Sequence, residues 1–222
     1  MANRQPRLSG ADRRQQIVQV ASEIFARQGF KGTTTREISQ KAKVNEAIIF
    51  RHFPTKEDLY WAVIEEQCQV GHSRTSGELQ SRLDESDDLH ELLSTMAVEI
   101  VQRDTKLTRL LFFCALENHK LLGRFFRMYI TTYHQVFAQH LRKRMEKGEL
   151  RKMDPVVAAR GFLGMAANYF LVQEILGGKR FNKANPKQVA ETFADIWLNG
   201  VLTKRSERSR KMHGSNGKKS LE

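Results

Sequence analysis

Three helix-start signals lie close together near the N-terminus, and they constrain the fold more than any other feature. Thr34 is followed three residues later by Glu37, and Thr55 by Asp58, which is the pattern of a side chain that caps a helix N-terminus. Asn45, another favoured cap, lies between them. The spacing predicts two short helices joined by a very tight turn and followed by a longer helix.

A long helix is predicted before this pair. Ser9 and Asp12 form a similar cap, and Gly29 ends the helix because glycine adopts the left-handed cap conformation at little cost. Between them, apolar residues repeat at helical spacing, at Ile17, Ala21, Ile24 and Phe25. The two short helices are expected to reach about Ala42 and His52.

Helical patterns also fill the rest of the chain, after a polar stretch at 71–88. Asp154-Pro155 and Asn185-Pro186 each place a capping side chain before a proline at the first helical position. Signals for strands are weak throughout. We therefore predict an all-α fold, with later helices near 88–103, 106–117, 120–146, 155–176 and 187–203.

The excess positive charge lies at the two ends of the chain. Residues 1–60 and 204–222 each carry a net charge of +5, and the residues between them carry +2. A basic region attached to a nearly neutral body is typical of a nucleic-acid-binding protein. We predict four segments: a flexible basic arm (1–9), a DNA-binding domain (10–56), a helical domain (57–203) and a disordered basic tail (204–222).

Several classes of protein are not expected. The two cysteines, Cys68 and Cys114, form neither a disulfide framework nor a metal-binding pattern. The N-terminus does not resemble a signal peptide, and no run approaches the about 18 apolar residues of a membrane span, so we predict a cytoplasmic protein. Catalytic histidine spacings, a G-x-S-x-G turn and a phosphate-binding glycine loop do not occur, so neither an enzyme nor a cofactor or metal is expected.

The short helix pair fits a helix-turn-helix, in which the second helix enters the major groove of DNA. Packing of the pair is expected from Ile38, Val44, Ile48 and Phe53. The exposed side is expected to present Arg36, Lys43, Asn45, Glu46, Ala47 and Arg51. Phosphate contacts are expected from Lys41, Lys43, Arg51, His52 and Lys56.

The stretch from Arg13 to Glu66 resembles the N-terminal domain of the TetR family of bacterial transcription regulators. The match is carried by Ile17, Ala21, Phe25, Gly29, the Thr33-Thr34-Thr35 run, Ile38, Ala42, Val44, Phe53, Lys56, Glu57 and Leu59. The segment RHFPTKEDLY and the ending FADIWLNGVL also resemble family elements. The resemblance implies a DNA-binding regulator, a repressor by family default.

Individual residues either match or depart from the family pattern. The resemblance implies a phosphate contact for Lys56, whereas Phe50 replaces a usual tyrosine and lacks its hydroxyl. Lys43 stands where glycine is common in the turn. Glu46 either accepts a hydrogen bond from cytosine or stabilises its helix N-terminus. Thr34 caps its helix, and Thr35 either does likewise or contacts a phosphate.

The resemblance also implies that the remaining helices dimerise and enclose an effector. Small and aromatic residues on the last two helices predict a two-fold interface that includes Phe162, Phe170, Phe193, Trp197 and Val201. An apolar, aromatic set predicts a ligand site, or alternatively ordinary core, at Phe112, Phe113, Met128, Tyr129, Tyr133, Phe137, Met165, Asn168 and Tyr169. The few acidic residues near this set favour a neutral or anionic ligand of largely apolar character.

Two hypotheses for function therefore stand. In the first, the chain is a homodimeric repressor that binds a pseudo-palindromic operator and is released by a small apolar effector. In the second, it is a DNA-binding or architectural protein of the same fold that acts without an effector.

Overall fold

In the computed structural model, residues 9–70, 76–117 and 119–202 are described, and they confirm the predicted all-α fold. The predicted basic tail, and the predicted arm except Ser9, lie outside these ranges. The helices are α1 (Gly10–Gly32), α2 (Thr35–Lys41), α3 (Glu46–His52), α4 (Lys56–Val70), α5 (Ser76–Glu85), α6 (Leu89–Val101), α7 (Thr105–Leu116), α8 (Leu121–Phe125), α9 (Thr132–Glu146), α10 (Pro155–Phe170) and α11 (Pro186–Val201).

Every helix start that the sequence signalled is capped by the predicted side chain. The backbone N–H of Asp12 donates to Ser9 Oγ over 3.1 Å, and Thr55 and Asp58 cap one another reciprocally. Asp154 and Asn185 accept from the first turns of α10 and α11, with proline at the first helical position in both. These caps satisfy N–H groups that a helix N-terminus would otherwise leave without partners.

The helical pattern after α4 differs from the sequence prediction in two places. Helix α5 lies in the stretch that was expected to be a polar break, because Leu79 and Leu83, one turn apart, bury an apolar stripe too narrow to recognise among polar neighbours. Two helices predicted to be regular contain π-helical turns, at Phe126–Thr131 and Leu171–Ile175. Such turns have no simple sequence pattern.

The described chain packs as two compact units, and the first contains α1–α4, α7 and α8. Helix α1 packs against α4 and α7, with Phe25 edge-on to Tyr60 at a centroid distance of 4.6 Å. The Tyr60 hydroxyl donates to the carbonyl of Leu110 on α7, and Arg109 Nε donates to the carbonyl of Ala26 on α1. This unit therefore extends past the boundary that the sequence placed after residue 56.

A sharp change of direction interrupts α1 near its C-terminal end. Gly29 has φ 75° and ψ −177°, and the helix resumes for a short distance beyond it. The carboxylate of Glu117 accepts the backbone N–H of Lys31 over 3.2 Å, and the Phe113 ring also lies against Gly29. The predicted helix end at Gly29 is thus a kink that α7 holds in place.

The second unit contains α5, α6 and α9–α11. Its core is centred on Phe137, Phe162 and Trp197, whose rings stack edge to face, with α6 packed along α11 and α10. Contrary to the sequence prediction, one stretch of the described residues, Pro155–Ile175, is long and apolar enough to cross a membrane by length and composition. Its Phe162 and Phe170 are fully buried in this unit.

Candidate nucleic-acid interface

A tight turn connects α2 and α3. The N–H of Lys43 donates to the carbonyl of Gln40 over 3.2 Å, and the N–H of Val44 donates to the carbonyl of Ser39 over 3.0 Å. This pair of bonds defines a Schellman motif, which needs a left-handed residue after the helix cap. Lys43 is that residue, with φ 52°, and it is the one non-glycine residue with positive φ among those the structure describes.

Three buried side chains hold the helix pair in place. Ile38 on α2, Ile49 on α3 and Phe53 after α3 are almost fully buried. Ile48 was predicted to pack here instead of Ile49, and Ile48 is only partly buried. The choice was wrong because two adjacent isoleucines fit the helical period almost equally well over a helix of two turns.

The outer side of the pair is rich in exposed cations and lacks a covering element within the described ranges. Arg36, Lys43 and Arg51 are all exposed. Asn45 and Ala47 are exposed at the start of α3, and Phe50 exposes 45% of its surface one turn later. We call this set the α3 face: Arg36, Lys43, Asn45, Ala47, Phe50 and Arg51.

Hydrogen bonds fix the first turns of both helices. Thr34 Oγ1 accepts the N–H of Glu37, and Asn45 Oδ1 accepts the N–H of Ala47 over 2.9 Å, as the sequence predicted for both caps. The Thr35 hydroxyl donates to the Glu46 carboxylate, which links the start of α2 to the start of α3. This bond gives Glu46 a positioning role beside the favourable interaction of a carboxylate with a helix N-terminus.

Lys56 lies at the start of α4 and contacts the end of α1. Its ammonium donates to the carbonyls of Phe30 and Thr33, both over 2.8 Å, and lies 4.2 Å from the centroid of the Phe30 ring. Burial lowers the pKa of Lys56, and the nearby Glu117 and Glu57 carboxylates oppose that shift. The structure thus gives Lys56 a capping role, and its phosphate contact stays a prediction.

Lys56→Met separates these two roles. The methionine keeps an apolar stem over Phe30 but leaves two carbonyls without their donor, so we expect the free energy of unfolding to fall by about 1–3 kcal/mol. Urea denaturation measures this loss, with Lys41→Met, an exposed lysine on α2, as the control. The opposite result would favour the phosphate role. In that case the variant is as stable as wild type, and the dependence of its DNA affinity on salt concentration has a slope reduced by about one.

Lys43→Gly tests whether the left-handed backbone conformation of Lys43 destabilises the fold. Glycine removes the steric cost of that conformation but increases the entropy of the unfolded chain, so we expect a net gain of about 0.5–1 kcal/mol in the free energy of unfolding. Lys43→Ala is the control, because alanine removes the charge and keeps the strain. Equal stability of the glycine and alanine variants would contradict this account of the turn.

The predicted dimer residues are buried within a single chain. Phe162, Phe170, Trp197 and Val201 are in the interior of the second unit, and Phe193 is half-buried against Tyr169. These side chains cannot form the surface between two copies while they fill this core. The correction follows from helix geometry, because the aromatic side chains of α10 and α11 lie on the buried or half-buried side of each helix, whereas Gly161, Gly164 and Gly200 are exposed.

The predicted ligand set is also divided. Phe112 and Phe113 belong to the first unit, where Phe113 packs on Gly29. In the second unit, Phe137 is fully buried in the core and Asn168 is exposed on the outer side of α10, so neither fits the prediction. The remaining members are Met128, which is exposed, and the half-buried Tyr129, Tyr133, Met165 and Tyr169.

Two family models match these units. The model for the bacterial regulatory proteins of the tetR family matches residues 17–63, which include all of the α2–α3 pair. The model for the C-terminal domain of AefR-like transcriptional repressors matches residues 88–200, about half of the chain. The chain belongs to the TetR family. It is therefore a DNA-binding transcription regulator with a helix-turn-helix, and it is not an enzyme.

Relatives of this TetR-family chain include the nucleoid occlusion factor SlmA of Aliivibrio fischeri. The two are 29% identical over 193 residues, which cover 84% of this chain and 92% of SlmA. Among solved structures, NalD of Pseudomonas aeruginosa, the secondary repressor of the MexAB-OprM multidrug efflux pump, has a TM-score of 0.67 and 18% identity, covering 88% of this chain and all of NalD. These comparisons agree with the fold described above.

A second solved structure contains both kinds of partner expected for the family. AibR, in complex with isovaleryl coenzyme A and operator DNA, has a TM-score of 0.61 and 18% identity to this chain. The match covers 83% of this chain and 97% of AibR. At this identity the similarity is one of fold.

Proposed function

We propose that this chain is a cytoplasmic repressor that binds a pseudo-palindromic operator as a homodimer and is released by a small, largely apolar effector. The exposed and positively charged α3 face is the observation that carries the proposal. A short helix held by buried residues on one side, with cations and small side chains on the other, suits insertion into the major groove.

Different residues of the α3 face are suited to different parts of DNA. Asn45 and Ala47, at the N-terminal end of α3, suit contacts with base edges, where an amide pairs with adenine and a methyl group packs on thymine. Arg36, Lys43 and Arg51 suit the phosphates on either side. Phe50 can add apolar contact with a thymine methyl group. We also propose that Thr34, Thr35, Glu46 and His52, which lie beside the α3 face, belong to the DNA-binding surface.

We place the dimer interface on the outer side of α10 and α11. Val157 and Ile196 expose 66% and 58% of their surfaces there, large values for apolar residues on regular helices. The same side carries glycines with open space where a side chain would lie, so a second copy could approach the backbone closely. We define this dimer face as Val157, Gly161, Gly164, Asn168, Thr192, Ile196 and Gly200.

The effector is proposed to bind in the second unit. Tyr133, Met165 and Tyr169 are half-buried and pack against its core, which supplies the mixture of apolar surface and a few polar atoms typical of ligand sites. The AibR structure, which contains isovaleryl coenzyme A and operator DNA, gives a precedent for a small molecule and DNA bound on this fold.

A second candidate function is DNA binding without an effector. Its support is the similarity to SlmA, which is named as a nucleoid occlusion factor. A thermal-shift screen with apolar compounds, repeated with operator DNA, separates the two. A released repressor requires some compound that binds the free protein more tightly than the DNA complex, because coupling between two ligands is reciprocal.

The DNA-binding proposal is tested by selecting duplexes from a random library. We expect the enriched sequences to be pseudo-palindromes whose half-sites are centred about one helical turn of DNA, or a multiple of it, apart. Binding should weaken with salt, and Arg51→Met should lower affinity on every duplex and reduce the salt slope by about one. Enriched sequences without two-fold symmetry would contradict the dimeric mode.

A further inference from the structure

Helix α7 ends against the kink in α1. Glu117 is the C-cap residue of α7, and its backbone N–H donates to the carbonyl of Phe113 over 2.9 Å. Both oxygens of its carboxylate lie 3.2 Å from the backbone nitrogen of Lys31, two residues after the kink at Gly29. A carboxylate at a helix C-terminus is unfavourable for that helix, so the contact with α1 explains the position of Glu117 better than the stability of α7 does.

The kink creates a need for this contact. A residue with the extended ψ of Gly29 interrupts the hydrogen bonds of a helix, so the turn after it begins like a new helix. The first N–H groups of a helix lack acceptors within that helix. Glu117 supplies an acceptor for one of them, the N–H of Lys31, and its negative charge is favourable at a helix start.

The segment after the kink leads directly into the helix-turn-helix. Lys56, at the start of α4, donates to the carbonyls of Phe30 and Thr33, so side chains of opposite charge hold this segment from α4 and α7. Thr33 is fully buried, and its hydroxyl donates to the carbonyl of Gly29 over 2.7 Å. Thr34 then caps α2. The direction in which α2 leaves α1 is therefore set by a short segment that begins at Phe30.

A change in that direction would affect the whole DNA-binding surface. Helices α2 and α3 move as a pair, because the buried Ile38, Ile49 and Phe53 hold them together. Contacts with base edges and phosphates are hydrogen bonds and ion pairs, which weaken when their atoms separate beyond about 3.2 Å. A small rotation of the pair would weaken several such contacts at once, although Glu117 is not a member of the α3 face.

We propose that Glu117 is a positioning residue for DNA binding, which fixes the direction of the α2–α3 pair by accepting the N–H of Lys31. This inference rests on the proposed function, since it requires that the α3 face binds DNA. A simple charge effect has the opposite sign. A carboxylate in this unit repels a polyanion, so removing its charge alone would tighten DNA binding. Positioning predicts instead that loss of the hydrogen bond weakens binding.

Two substitutions separate the hydrogen bond from the charge. Glu117→Gln removes the charge and keeps an oxygen that can accept the N–H of Lys31. Glu117→Asp keeps the charge but is shorter by one methylene group, which draws the carboxylate away from that N–H. Titration of a selected duplex at constant salt measures the affinity of each full-length variant.

We expect Glu117→Asp to weaken DNA binding by about tenfold or more and Glu117→Gln to stay within about threefold of wild type. Glu23→Gln is the matched control, because it removes an exposed carboxylate on α1 of the same unit and should not weaken binding. Equal affinities of the two Glu117 variants, or the reverse order, overturn the proposal.

A second measurement distinguishes positioning from loss of stability. Circular dichroism identifies a temperature at which each protein is fully folded, and hydrogen exchange without DNA is then measured on peptides that cover α2 and α3. We expect faster exchange there in Glu117→Asp and unchanged exchange in α9–α11 of the second unit. Unchanged exchange in α2 and α3 overturns the positioning role. If Glu117→Asp does not fold, a loss of more than threefold in the affinity of Glu117→Gln overturns it.

The outcome is separable from that of the proposed function. A wild-type chain that enriches no duplex contradicts the proposed function, and the exchange measurement still tests whether Glu117 holds the helix pair. A wild-type chain that binds a duplex no more tightly than Glu117→Asp contradicts the positioning role and keeps the DNA-binding role.

Discussion

Gly29→Ala is expected to lower the free energy of unfolding by about 3 kcal/mol or more. The backbone at Gly29 lies in a region that almost only glycine adopts, with φ 75° and ψ −177°. A Cβ there would also lie 2.5 Å from Glu117 Oε1 and 2.6 Å from Phe113 Cδ1. Strain and steric overlap therefore add.

Chemical denaturation measures this loss, and Gly10→Ala is its control. Gly10 is at the start of the same helix and has open space around the position of an added Cβ. We expect its stability to remain within about 0.5 kcal/mol of wild type. A loss below about 1 kcal/mol for Gly29→Ala would mean that the kink relaxes, and that Glu117 and Phe113 do not hold it.

Ile196→Glu is expected to give a folded monomer whose affinity for a full operator falls by about 100-fold or more, because the second recognition helix no longer binds as part of the same molecule. Ile196 is mostly exposed in the single chain, so a glutamate there costs the fold little. In the proposed dimer the same carboxylate would be buried without a partner.

Sedimentation and DNA titration measure the two effects together. Leu116→Glu is the matched control, since Leu116 is an exposed apolar residue on α7 of the other unit. We expect that control to remain dimeric and to bind DNA as wild type does. An Ile196→Glu protein that stays dimeric would place the interface elsewhere.

Helix starts were the most predictable part of this fold. Thr34, Asn45 and Asp154 cap the helices that the sequence assigned to them, because a cap depends on a few adjacent residues. The predictable part of the site was likewise local, namely the short pair α2–α3 and its exposed cations. The similarity of this region to TetR-family proteins added the interpretation of what the pair binds.

Features that depend on packing were not predictable in the same way. Aromatic residues such as Phe162 and Trp197 suit an interface and a core equally well, and only the burial of each side chain distinguishes the two. The roles of Lys56 and Phe113 depend on contacts with α1. The α1 residue that Lys56 contacts is 26 residues away in sequence, and the α1 residue that Phe113 contacts is much further away.

The order of helices along the chain affects how the protein is made. The unit that contains α2 and α3 also contains α7 and α8, whereas α5 and α6, which come between α4 and α7, belong to the other unit. The contacts of α1 with Arg109, Phe113 and Glu117 cannot form until those residues have left the ribosome. The DNA-binding unit therefore completes its folding only after about half of the chain has been synthesised, and a fragment that ends at α4 lacks part of its core.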